Sequence, residues 1–240
     1  MISRALLDRY YPPAAFDGTK RFYDLVRRHV SRDMVVLNMG CGPASGNPVK
    51  ILKGEVAKVV GADIDPAAAS NGDVDEVAIY DGRRLPFEDG SFDAAYADFV
   101  MEHLERPEES LREIRRVVRP GGTFLFRTPN RNHYVALASR LVPDRWKESV
   151  ANRTRGFGGR ENRTYPVYYR FNSRGDVDTI ARRAGFGKDD IAVDFVECEP
   201  SYLAFSLPTF LLGLAYERLV NASDSLGFLR ANIFGVLTRR

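Results

Sequence analysis

The chain is poor in cysteine: 240 residues contain only Cys41 and Cys198, far apart. That excludes a disulfide scaffold and any Cys-rich zinc site, and it favours a reducing compartment. Long hydrophobic runs are also missing. The most apolar stretch, Tyr202 to Tyr216, is interrupted by Pro208 and Gly213. A membrane span needs about 20 apolar residues, so this one is too short. Arg4, Asp8 and Arg9 enter too early for a signal-peptide core, and no internal repeat or low-complexity tract occurs. What is present is ordinary globular material, 44% hydrophobic and 28% charged, which argues against disorder. The length suits one α/β domain spanning 1–240, and a cytoplasmic protein is the expectation.

The net charge of +3 is small but uneven. Between Ser139 and Arg183 there are 11 Lys and Arg against 5 Asp and Glu, so the rest of the chain is negative. Such asymmetry suits an anionic partner or a solvated basic face.

Strand-like and helix-like segments alternate, the pattern of a parallel sheet covered by helices. Helices are expected over 19–30, 49–53, 107–118, 133–142 and 174–184. Strands are expected over 34–38, 57–63, 76–80, 92–97, 123–126, 191–196 and 231–237. Pro120-Gly-Gly122 reads as the stop of the 107–118 helix, where Leu111, Ile114, Val117 and Val118 recur at helical spacing. In such sheets ligands bind along the carboxyl edge.

The most informative segment is Val35-Val-Leu-Asn-Met-Gly-Cys-Gly-Pro-Ala-Ser-Gly46. Glycines directly after a buried strand permit a tight turn and close approach of a ligand to the backbone. Their G-x-G-x-x-x-G spacing is one residue longer than the dinucleotide fingerprint. The next strand ends at Asp63, 23 residues beyond Gly40, where a carboxylate can accept both hydroxyl protons of a ribose. Asp65 and Asp93 read as structural, Asp65 as a cap before Pro66 and Asp93 as a support of the fourth strand.

Six segments then occur in order: Leu37-Asn-Met-Gly-Cys-Gly42, Gly61-Ala-Asp-Ile-Asp65, Asp81-x5-Phe87, Ser91-Phe-Asp93, Glu102-His-Leu104 and Arg119-Pro-Gly-Gly122. Together they resemble the class I S-adenosylmethionine-dependent methyltransferases. The likeness is to the small-molecule (type 11) branch that includes enzymes of ubiquinone and saccharide biosynthesis. It implies a Rossmann-like three-layer sandwich, α/β, with a seven-stranded mostly parallel sheet and an antiparallel last strand. Its cofactor-binding core would be 34–130. S-adenosylmethionine is the implied cofactor. Met39, Gly40, Cys41 and Gly42 would line its methionine part, Asp63 the ribose diol, Ile64 and Gly82 the adenine ring, and Asp81 the adenine amino group. Ala97 and Asp98 would lie near the methionine moiety. Asn38 departs from the family, where Asp is usual, and so does the extra residue before Gly46. Cys41 reads as a packed small residue, since methyl transfer from a sulfonium needs no covalent enzyme intermediate. Some quinone O-methyltransferases of this pattern carry an acid where Phe99 stands, so no metal is expected.

Methyl transfer is an in-line displacement, and the enzyme must chiefly align the acceptor and exclude water. An oxygen acceptor also loses a proton, which a positioned His can take. His103, after the fourth strand, is the leading base and His133, after the fifth, the second. His29 reads as packing. The segment 143–171 mixes Arg with Tyr, Phe and Trp and suits an acceptor that is anionic, a saccharide or lipid-linked. Nothing resembles a nucleic-acid-binding module. The segment 202–220 reads as a buried or dimer-forming helix, with shallow membrane contact as the alternative. Two rival readings are a nicotinamide-dependent Rossmann oxidoreductase and a catalytically silent cofactor-binding subunit.

Overall fold

The computed structural model describes residues 9–11, 17–141, 165–197, 203 and 206–240. Seven strands, β1 (Val35–Met39), β2 (Lys58–Asp63), β3 (Glu76–Ile79), β4 (Phe92–Asp98), β5 (Val118–Pro129), β6 (Ile191–Val196) and β7 (Asn232–Thr238), form one sheet. Its order is β3-β2-β1-β4-β5-β7-β6. β1 pairs parallel with β2 and β4, β2 with β3, and β4 with β5. β7 runs against β5: the Asn130 amide donates to the Ala231 carbonyl, and the Gly121 amide to that of Arg239. This is the antiparallel last strand that the family resemblance implies.

The helices are α1 (Gly18–Arg27), α2 (Pro107–Val117), α3 (Tyr134–Leu141), α4 (Arg174–Arg183) and α5 (Leu207–Asn221). The chain divides into two compact units. One comprises Thr19–Thr128, Val167–Asp194 and Ile233–Arg240; the other comprises Met1–Gly18, Pro129–Pro166 and Phe195–Asn232.

In the first unit, β1, β2 and β4 are nearly continuous apolar strands, as parallel strands covered on both faces must be. Leu111, Ile114 and Val117 on α2 are fully buried, as their spacing predicts. Each such side chain contributes about 1.5–3 kcal/mol of burial. The last carbonyls of α2 would be orphaned, but one Arg239 amino group donates to the carbonyls of Arg115, Arg116 and Val118 at 2.6–2.9 Å.

The structure differs from the periodicity in several places. The expected helix over 49–53 is only a 3-10 turn, Pro48–Lys50, capped by the Asn47 side chain. Its segment is held instead by Arg27, which grips Glu55 through two nitrogens and donates to the carbonyls of Val49 and Ile51. The fifth strand begins at Val118, five residues before the expected start, and runs through Pro120-Gly-Gly122. Glycine allows this: a Cβ on Gly122 would lie 2.5 Å from the Asp93 carbonyl, and Gly121 has φ +82°. α1 ends at Arg27, short of Val30. Most of 143–171, and residues 202, 204 and 205, lie outside the described residues.

Candidate active site at the carboxyl edge of the sheet

Strand register assembles this edge. Met39 stands beside Ala62 and Ala97, Asp63 beside Ile79, Ala97 beside Phe126, and Asp98 beside Arg127. Residues from five strands therefore stand at one level.

The glycine bend is tied to that level by its own amides. Gly40 has φ +68°, and its amide donates to the Ala62 carbonyl at 2.7 Å. A Cβ there would meet Val100 Cγ2 at 2.4 Å, so only glycine fits. The Gly42 amide donates to Asp63 Oδ2 at 2.7 Å, and the Asp65 amide to Asp63 Oδ1 at 2.8 Å. A carboxylate has about four acceptor positions, so two remain on Asp63 after these bonds. Asn71 donates to the carbonyls of Cys41 and Gly42, and Asp73 accepts from the amides of Ser45 and Gly46. The extra residue of the glycine loop thus sits in a segment with its own acidic anchor. Burial, with Asp63 nearby, pushes the Cys41 thiol up to about 11, so it stays protonated at neutral pH.

Beside Asp63, Ile64 is half exposed, and Gly82, at φ +79°, faces it. A Cβ on Gly82 would lie 3.3 Å from Ile64 Cγ2. Gly82 therefore lies close against Ile64, and the two present one apolar surface on this rim. Asp81 Oδ1 accepts from the amides of Arg83 and Arg84 at 2.9 and 3.2 Å, which holds this exposed carboxyl below its ordinary range. Asp65 caps the turn Pro66–Ser70, and Asp93 accepts from the Val35 amide at 2.6 Å. Both are structural, as the sequence suggests. Acidic acceptors, an exposed apolar surface at Ile64 and a glycine bend on one rim are what an adenosine group requires, so the residues fit the implied cofactor.

The Asp98 side chain is occupied. Arg127, itself buried, grips both its oxygens at 2.6 and 2.9 Å, and Lys50 approaches within 3.2 Å. The guanidinium also lies 4.2 Å from the Phe99 ring centroid. Phe99 holds φ +57°, a left-handed conformation uncommon outside glycine, with its amide on the Arg127 carbonyl. At the position where an acid would serve a metal, the chain thus has an aromatic ring stacked on an arginine. No metal-holding group of His, Cys, Asp or Glu occurs among the described residues.

Next comes the 3-10 turn Met101–His103. His103 is part-exposed, with Nε2 4.0 Å from Glu102 Oε1. Glu102 is buried, and burial pushes its carboxyl up to about 7 despite a 3.0 Å bond from the Thr128 hydroxyl. Thr128 Oγ1 in turn accepts from Asn172 at 2.8 Å. The Glu102 carbonyl receives the amides of Tyr168 and Tyr169, and Arg170 donates to the Glu105 carbonyl. The described end of the Arg- and Tyr-rich segment is thereby fixed next to His103. Sequence reasoning missed this buried chain and the Asp98–Arg127 pair. Glu102 lies in the segment Glu102-His-Leu104, but nothing in the sequence joins it to Asn172, seventy residues away.

His133 belongs to the other unit, where it is buried. Its Nε2 lies 3.4 Å from Glu197 Oε2, and its ring packs against those of Tyr134 and Tyr216. Glu197 also accepts from the Ala231 amide. His29 bonds the Leu25 carbonyl one turn back, a packing role.

A family model described as "Methyltransferase domain" matches residues 37–126. Demethylmenaquinone methyltransferase of Mycobacterium sp. (strain KMS) is 33% identical over 160 residues, covering 57% of this chain and 69% of the relative. Sterol 4-C-methyltransferase strm-1 of Caenorhabditis elegans is 27% identical over 155 residues, 53% of this chain. The chain spans less than half of the sterol relative, 46% of its length. Among solved structures, the complex of the Haloferax volcanii Trm112 methyltransferase activator with a methyltransferase aligns over 98% of this chain and 94% of that one. Its TM-score is 0.57 at 20% identity, a likeness of fold.

Proposed function

The chain belongs to the class I S-adenosylmethionine-dependent methyltransferases, and from that premise we propose that it methylates an oxygen of a small acceptor, a lipid-linked or saccharide molecule, with His103 taking the proton. The observation that carries this reading is the His103–Glu102 pair beside the adenosine-ready rim. Family membership sets aside the nicotinamide-dependent alternative.

S-adenosylmethionine, when bound, supplies a methyl group already activated by a positively charged sulfur. The two remaining acceptor positions of Asp63 would receive the ribose hydroxyls, and Ile64 with Gly82 would pack against the adenine ring. Asp81, whose Oδ1 is committed to the turn, would accept from the adenine amino group. The backbone of Met39, Gly40, Cys41 and Gly42 lines the methionine part. Ala97 is small enough to leave room there, and Asp98 keeps Arg127 and Lys50 in place. His103 removes the acceptor proton as its oxygen attacks. Glu102, 4.0 Å away, steadies the imidazolium once its own carboxyl is ionised, above about pH 7. Tyr168 and Tyr169 form an aromatic wall for the acceptor.

A second reading, transfer to carbon, draws on the name of the sterol 4-C-methyltransferase relative. A carbon acceptor must also shed a proton, so His103 keeps its part.

The experiment uses a radiolabelled methyl donor and total cell extract. Label in the organic phase identifies a lipid acceptor, and label in the aqueous phase a saccharide. Release of the label by hydriodic acid assigns it to oxygen. His103→Ala should cut turnover about 10²–10⁴-fold and leave S-adenosylhomocysteine binding intact by calorimetry. Unchanged turnover removes His103 from the mechanism. A wild-type protein that binds the product yet labels nothing is the silent subunit.

A further inference from the structure

Helix α5 (Leu207–Asn221) is built inside out. Its start is well defined: the Ser206 hydroxyl accepts from the Thr209 amide, Thr209 Oγ1 accepts from the Ser206 amide, and Pro208 occupies the first turn. One side packs inward. Phe210 is buried edge-on to the rings of Tyr10 and Tyr11, Val220 is buried, and Gly213 lies against Leu203. The helix's one acid, Glu217, also points inward and is only 3% exposed. The outer side carries Leu207, Leu211, Leu212 and Leu219, between 49% and 66% exposed. Pro208 and Ala215 are exposed with them. At about 100° per residue these six share an arc of roughly 140°. Arg218 projects within the first part of this arc, between Leu207 and Leu211, and donates to the Tyr10 carbonyl, next to exposed Arg9.

A surface helix ordinarily turns its acids to water and its leucines to the core. A leucine arc left in solvent marks a contact surface. We propose that α5 docks this protein on an anionic lipid bilayer, the four leucines entering the headgroup boundary while Arg9 and Arg218 meet lipid phosphates.

The charge distribution selects this occupant. Among the described residues, the cations beside the arc, Arg9 and Arg218, are exposed, whereas Glu197 and Glu217 of the same unit are buried. A second copy would bring like charge against like charge, whereas an anionic surface neutralises it. Tyr10 is 36% exposed beside Arg218, whose long stem lies among the leucines and carries its charge toward the headgroups, as in interfacial helices. Fifteen residues rise about 22 Å, less than the roughly 30 Å hydrocarbon core, so the helix lies on the bilayer.

The test is flotation of the full chain with vesicles of phosphatidylcholine alone and of phosphatidylcholine with 30 mol% phosphatidylglycerol. The wild type should float with the anionic vesicles, less with the neutral ones, and less at high salt. Leu212→Ser/Leu219→Ser should lose at least tenfold in partition, and Arg218→Ala should lose binding on anionic vesicles only. Circular dichroism and S-adenosylhomocysteine binding by calorimetry establish that each variant is folded. Failure of the wild type to float with either vesicle overturns the proposal, as does an unchanged partition of the leucine variant. A wild-type dimer in sedimentation equilibrium, made monomeric by the leucine variant with no vesicle binding, assigns the surface to a second copy and overturns it too.

Discussion

Replacing Glu102 by Gln tests the energetics of the buried chain at the carboxyl edge. The folded protein keeps the Glu102 proton up to about pH 7, mainly because burial penalises the charged carboxylate, whereas an ordinary glutamate loses it near 4.5. The folded state therefore binds this proton more tightly than the unfolded state. The group costs nothing below pH 4.5, and stability falls as pH rises from 4.5 to about 7. At about 1.4 kcal/mol per pH unit over that interval, the loss reaches roughly 3 kcal/mol above pH 7. Glutamine keeps an oxygen for the Thr128 hydroxyl and never ionises. Glu102→Gln should match the wild type near pH 4.5 and exceed it by roughly 3 kcal/mol at pH 8. For a chain of this size that is about 6–12 °C in Tm. Urea titrations followed by circular dichroism at pH 5, 6, 7 and 8 measure the difference. A stability gap that is constant with pH, or that grows toward acid, refutes the assignment of a buried, proton-holding Glu102.

The Asp98–Arg127 pair predicts a loss of about 3–5 kcal/mol for Arg127→Met, because a buried carboxylate is left without its fork. Adding Asp98→Asn should restore part of it in the same urea titration, and strictly additive effects would show that the pair is not coupled. Asp63→Asn replaces a carboxylate that accepts two backbone amides and has two positions left. Loss of one charge-assisted bond, about 1.5–3 kcal/mol, should weaken S-adenosylhomocysteine binding roughly tenfold or more by calorimetry. Undiminished affinity would remove Asp63 from the ribose site.

How far the chain could be read in advance depended on how local each cause is. The carboxyl ends of β1 and β2 were legible because a strand, a glycine turn and an acid lie within one short stretch, and parallel pairing then brings Met39 and Ala62 together. Asp65 and Asp93 were legible for the same reason, since each bonds backbone that its own turn or neighbouring strand supplies. Pro120-Gly-Gly122 misled because the residues that end a helix also permit the close approach to Asp93 by which β5 continues.

The order of apolar strands and punctuating glycines determined the class of sheet and the edge where a ligand would meet it, because backbone conformation and burial pattern act over a few residues. Tertiary structure alone decided which charges meet. Arg127 finds Asp98 only across neighbouring strands, Glu102 reaches Asn172 only through Thr128, and α5 turns its leucines outward while Glu217 faces inward. Each outcome depends on long-range packing and on the cost of burying a charge, and neither is written in any single segment of the chain.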